Sequence, residues 1–173
     1  MKSKSLFLLL LLLLLLAFIA LTGTLNVPAQ KNEFIGYEHK GVVYGETLPN
    51  GARDLGGGLL SDSLYAVTRF SKNKKHYLWL EMITDRDKEG VPSWIVLDAL
   101  ELPEMKSNQK LLFSYSSTCT VDGREDLDVI VLAEERPKRK NSYRVLRAWR
   151  ANLEREEFET VATRGIVCGR QKP

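Results

Sequence analysis

Hydrophobic and polar positions fall into three textures along this chain. From Leu6 to Leu21 sixteen residues are unbroken apolar, nine of them consecutive leucines, behind Lys2 and Lys4 and ahead of Thr22, Gly23 and Thr24. As a helix that run reaches about 24 Å, short of a hydrocarbon core of about 30 Å. Between Asn32 and Asp62, "GYEHKGVVYGETLPNGARDLGGGLLSD" is rich in glycine and turn residues and keeps little periodicity. It predicts an irregular segment with at most a short strand at Gly41 to Tyr44. Beyond Ser63 the pattern becomes short β-rich runs punctuated by turns. In "HYLWLEMI", Leu78, Leu80 and Met82 share one face and Tyr77 and Trp79 the other, the period of two expected of a strand.

The turn "DRDKEG" leads into "SWIVLDALEL", and "QKLLFSYSSTCT" and "LDVIVLAE" flank Val121-Asp122-Gly123-Arg124. Asp-Gly between alternating apolar runs is a strong hairpin signal. Pro137 closes the next strand because it has no N–H to give a ladder. The region 142–158 satisfies helical spacing through Val145, Leu146, Trp149 and Leu153, with Ser142 as a cap, yet it also reads as a hairpin. The hairpin is preferred, since its neighbours are strands and consecutive elements usually pair. The fold class predicted is mainly β: an antiparallel meander of six or seven strands forming a small barrel or sandwich, behind an N-terminal hydrophobic helix. The predicted divisions are a signal peptide or single membrane anchor at 1–29, the irregular glycine-rich segment at 30–62 and the β domain at 63–173.

The leader sets the address. A basic flank, a short apolar stretch and the small or branched positions of Val27-Pro28-Ala29 are the parts of a secretory signal, although Pro28 weakens the cleavage site. Retained instead, the run would be one membrane anchor, and Lys2 and Lys4 would hold its N-terminus inside. Either way the domain is exported, to the periplasm or beyond. Cys119 and Cys168 are the two cysteines, an even count that an oxidising compartment favours pairing; two buried thiols are the alternative. No asparagine is followed two places on by serine or threonine, which is compatible with a bacterial envelope. The formal charge is +3, of which Lys2 and Lys4 supply two, so nothing strongly basic remains to name a nucleic-acid partner.

The stretches "NGARDLGGGLLSD", "GREDLD", "RAWRAN" and "GIVC" together resemble a family of small exported cyanobacterial proteins of unassigned function. The resemblance would span most of the chain after the leader. It implies an exported address and brings no catalytic residue with it.

Candidate chemistry is sparse. Asp85, Asp87 and Glu89 alternate as in the start of a calcium loop, but Pro92 and Val96 stand where ligands should follow, so a solvated turn is expected and no metal. Asp122, Glu125, Asp126 and Asp128 read as another solvated turn. Gly56-Gly57-Gly58 lacks the lysine and the preceding strand of a phosphate loop and reads as a turn. His39 and His76, the only histidines, stand in no ligand spacing, and no nucleophile motif accompanies them, so neither zinc nor a hydrolase is supported. Arg136, Lys138, Arg139 and Lys140, joined by Arg144, Arg147 and Arg150, form either a solvated sheet edge or a contact for anionic lipid or an acidic polymer. Trp79 is the candidate for an exposed stacking platform, while Trp94 and Trp149 are expected in the core. The expected function is that of an exported, non-catalytic binding or structural domain of the cell envelope without a cofactor. The second expectation is a module for carbohydrate or a membrane surface using exposed Trp79 and the basic loop, and the third is a small exported hydrolase.

Overall fold

Strand β4 (Lys75–Arg86) shows why the alternating pattern above has no solvent face: Tyr77, Leu78, Trp79, Leu80 and Glu81 are all buried in succession. A strand in which both parities are buried must be covered on both sides, and that requirement organises the molecule. The computed structural model describes residues 32–41, 44–113, 117–135 and 143–170. The leader lies outside the described residues, as do Arg136, Lys138, Arg139 and Lys140.

Twelve strands are found among the described residues, all paired antiparallel. β1 (Glu38–Lys40), β2 (Arg53–Leu59), β3 (Tyr65–Lys72), β4 and β5 (Pro92–Glu101) make a five-stranded sheet in the order β1-β5-β4-β3-β2. β6 (Gln109–Leu112), β9 (Val129–Glu135), β10 (Tyr143–Asn152) and β11 (Glu157–Val161) make a second, ordered β11-β10-β9-β6. β7 (Ser117–Val121), β8 (Arg124–Glu125) and β12 (Ile166–Arg170) make a third, β12-β7-β8. The mainly β, antiparallel expectation agrees with this, and so does the preference for a hairpin over a helix at 142–158. The strand number does not. Six or seven strands in one meander become twelve in three sheets, several of them too short to show a period.

Two differences have local causes. The segment 30–62, expected to be irregular, contributes β1 and all of β2, a full member of the first sheet. Glycines mask β2 because they have no side chain to alternate. Gly57 needs that absence, since a Cβ there would lie 2.4 Å from the Val67 carbonyl oxygen. The Asp122-Gly123 turn forms as expected, both residues at positive φ, but it joins β7 to the two-residue β8. β9 leaves for another sheet, where it pairs with β6 and β10. The turn Asn73-Lys74, with φ of 52° and 66°, closes the β3–β4 hairpin on the Lys72–Lys75 pair.

The sheets stack through three cores. Val67, Leu78 and Leu80 of the first sheet meet Leu111, Ile130, Leu132 and Trp149 of the second. On its far side the second sheet sends Val129, Val131, Ala133 and Ala148 against Cys119, Ile166 and Cys168 of the third. The outer face of the first sheet buries Phe70, Tyr77, Trp79 and Val96 beneath Phe34, Leu48 and Ala52 of the N-terminal segment. Asn32 fastens that segment by donating from Nδ2 to the Ala99 carbonyl at 2.9 Å, and Gly36 donates to the Val96 carbonyl at 2.7 Å.

Cys119 and Cys168 are directly opposite on β7 and β12 and form a disulfide across 49 positions of sequence. The bond ties the C-terminal strand to the third sheet and is consistent with folding in an oxidising compartment. Reduction, or replacement of both cysteines by serine, is expected to lower the unfolding free energy by about 4 kcal/mol on the chain-entropy argument; urea melts with and without reductant measure it. Gly57→Ala is expected to lose about 1–3 kcal/mol by forcing β2 away from β3, read in the same melts.

Candidate functional site

Glu81 lies mid-strand on the face that also carries Tyr77 and Trp79, so the N-terminal segment that covers those aromatics must also meet a carboxylate. It does so with His39. β1 runs along the β5 edge with His39 opposite Trp94, and the imidazole reaches across to β4, where Nε2 stands 2.7 Å from Glu81 Oε1. The other ring nitrogen, Nδ1, stands 2.8 Å from the Lys40 carbonyl oxygen. The two side chains are 5% and 3% exposed.

Both ring nitrogens therefore face oxygen acceptors, and the ring satisfies both only by donating from both, as imidazolium. Burial pulls the His39 pKa down, but the Glu81 hydrogen bond and charge, the Lys40 carbonyl and the more distant Asp54 charge together outweigh it and hold it above its ordinary value. Protonated, the ring forms a buried ion pair with the Glu81 side chain. Rings of Tyr37, Phe70 and Trp79 surround the imidazole at centroid separations of 6.0, 6.2 and 6.1 Å.

Asp54 completes the group. The register of β2 slips between Asp54 and Gly57, and Gly56 at the slip takes a φ of +85°. Such a bulge re-aims a side chain. Here it brings Asp54 Oδ1 onto the Gly56 N–H, which donates to it. Asp54 is buried at 5% exposure, and burial is the main reason its pKa is raised; the Gly56 N–H and the His39 charge lower it and the Glu46 charge raises it.

These groups line a cleft of about 390 Å³ on the outer face of the first sheet. Its walls include Tyr44, the Gly56–Gly58 backbone, Thr68, Phe70, Pro92 and Trp94. Glycines keep β2 low, so this end of the sheet face is not filled by side chains. The Tyr44 ring lies against Gly56, where an added Cβ would stand 3.3 Å from it.

The residues singled out from sequence fare differently. Trp79 is a correction: it is 0% exposed, stacked on Phe70 at 3.9 Å, and so presents no platform to solvent. The strand face that carries it, expected to be open, is roofed by Phe34 and its neighbours. Its indole N–H has no hydrogen-bond partner among the described residues. Trp94, assigned to the core, lines the cleft instead, while Trp149 is buried between sheets as expected. Asp85, Asp87 and Glu89 do not converge. Asp87 accepts the Glu89 and Val91 N–H groups on Oδ1 and faces Lys40 at 3.6 Å, whereas Asp85 and Glu89 are exposed.

In the acidic group, Asp126 pairs with Arg150 at 2.6 Å and Asp128 accepts from the Ser61 N–H and hydroxyl. The basic candidates at 136–140 lie outside the described residues, and Arg144 pairs with Glu134. The Gly56–Gly58 run is in a strand rather than a turn and borders the cleft. His76 sits half-buried on β4, its pKa lowered by burial and by the Arg69 charge.

Sequence reasoning missed His39, Glu81 and Asp54 as a set. One signal was available, a glutamate two positions beyond Trp79 on an aromatic strand face, which has to find a cation. Its partner is 42 positions away, and no spacing rule bridges that interval. No protein-family model matches the chain, and comparisons with curated proteins and with solved structures find no match.

Folded His39 binds its proton more tightly than unfolded His39 does. The stability contributed by its protonation is therefore complete below about pH 6.5 and is lost as pH rises through the folded value. His39→Gln leaves Glu81 buried without a cation and is expected to cost about 3 kcal/mol at pH 6. That cost is expected to shrink by pH 9, where the wild type has lost its imidazolium too; urea unfolding of both proteins at the two pH values measures the difference.

Proposed function

We propose that this chain is an exported, non-catalytic binding domain of the cell envelope, with its ligand seated in the cleft above His39, Glu81 and Asp54. The observation that carries this reading is the placement of three ionisable side chains, each nearly withdrawn from water, at one cleft rather than in a sealed core. Buried charges are expensive, and when they gather at an opening they mark a recognition site more often than a structural one. Export is supported by the Leu6–Leu21 leader with its basic flank and is consistent with the disulfide.

The non-catalytic part rests on the hydrogen-bond inventory. His39 has both nitrogens engaged, by the Lys40 carbonyl and by Glu81, so neither takes a proton from a ligand without giving up a hydrogen bond. The described residues that line the cleft include no serine or cysteine. A carbohydrate reading can no longer lean on Trp79, but Trp94 and Tyr44 border the cleft and give it an aromatic wall. The hydrolase reading keeps one support, the raised carboxyl of Asp54, and would show itself as turnover lost in Asp54→Asn.

Isotope-labelled domain titrated with solubilised envelope fragments, glycan and peptide in separate arms, is expected to shift the amides of Gly56, Gly57 and Gly58 and the indole N–H of Trp94. Shifts confined to other faces would refute the cleft as the site, and so would none at all. Release of altered fragments during the titration would move the reading to the hydrolase.

A further inference from the structure

The charges at the cleft do not balance. His39 and Glu81 neutralise each other at 2.7 Å, and Asp54, 5% exposed, has no cation within 4.0 Å among the described residues. Its Oδ1 accepts the Gly56 N–H, and no hydrogen bond from the described residues is found at its Oδ2. A carboxylate so placed is costly to keep ionised, which is why burial raises its pKa. The β2 bulge nevertheless holds it at the cleft, in a space of about 390 Å³, within the usual range for small-ligand sites.

We propose that the cleft binds a primary alkylammonium group, with the nitrogen against Asp54 Oδ2 and the aliphatic stem along Trp94 and Tyr44. This rests on the binding-domain reading above and names its ligand class. A neutral hydroxyl would supply a hydrogen bond and leave the charge uncompensated, whereas an anion would meet Asp54 with no lysine or arginine among the described lining residues to offset it. A guanidinium gains most from two parallel bonds to a carboxylate, and here one oxygen is already taken by the backbone. An ammonium is a point donor that needs only the other. Calcium or magnesium needs six or more oxygens, zinc needs three or four convergent side chains, and no group of three histidine, cysteine or carboxylate side chains among the described residues could hold a metal ion. The aromatic rims add cation–π attraction and cover the stem. The ammonium could belong to a free amine or to a lysyl side chain of another chain.

The test is titration of labelled protein with n-butylammonium and with 1-butanol, its neutral counterpart, followed at the Gly56–Gly58 amides and the Trp94 indole. Butylammonium is expected to bind at least tenfold more tightly than butanol, and Asp54→Asn is expected to erase the preference while circular dichroism shows an unchanged fold. Equal binding of the two probes, or an unchanged preference in a folded Asp54→Asn protein, would overturn the proposal. The comparison of probes on wild type decides it even if that variant does not fold. A capped lysine-containing pentapeptide that binds more tightly than butylammonium identifies a side-chain source; weaker binding identifies a free amine. If glycan fragments shift the cleft amides while butylammonium does not, the amine falls and the binding domain stands. If butylammonium, glycan and peptide all leave them unshifted, both fall.

Discussion

A carboxylate in the middle of a strand that is covered on both faces has to be met by a cation or give up its charge, and Glu81 is met by His39. Much of the first sheet follows from that meeting. β1 has only three residues, too few to hold an edge by its ladder alone, yet the imidazole it carries spans β5 to reach β4. The same segment brings Phe34, Leu48 and Ala52 over Trp79. The polar pair and the apolar roof are thus two parts of one closure, and among the described residues neither side chain of the pair has another ion-pair partner.

The closure stops short at the β2 end. Three successive glycines, a bulge and a positive φ keep that strand without bulk, and the roofed face opens into the cleft. Asp54 lies at the transition, buried enough that its carboxyl pKa is raised above its ordinary value and placed among the residues that line the cleft. Folding and recognition draw on the same residues here. The bulge that re-aims Asp54 ends at Gly57, whose lack of a Cβ lets β2 approach Val67 closely.

What could be read from sequence divides along physical lines. The period of two in 76–83, the Asp122-Gly123 turn and the pairing of Cys119 with Cys168 depend on neighbours or on a count of two, and each is legible. β2 is not, because Gly56, Gly57 and Gly58 carry neither alternating side chains nor the β-branched and aromatic groups that mark a strand. Trp79 was placed on the correct face and given the wrong surroundings, since nothing in its own strand tells that residues 34–52 fold back over it. His39 and Glu81 belong to the same class of failure: each is unremarkable locally, and their encounter is made by topology. The division of β6 and β7 between two sheets was equally hidden in the short interval that separates them.

β9 serves as the common wall of two interiors, with Ile130 and Leu132 turned to one and Val129, Val131 and Ala133 to the other. Adjacent codons in that strand therefore answer to different compartments, and variation tolerated at one parity carries no information about its neighbour. Repacking either chamber leaves the other's jigsaw untouched only while the partition between them stays straight.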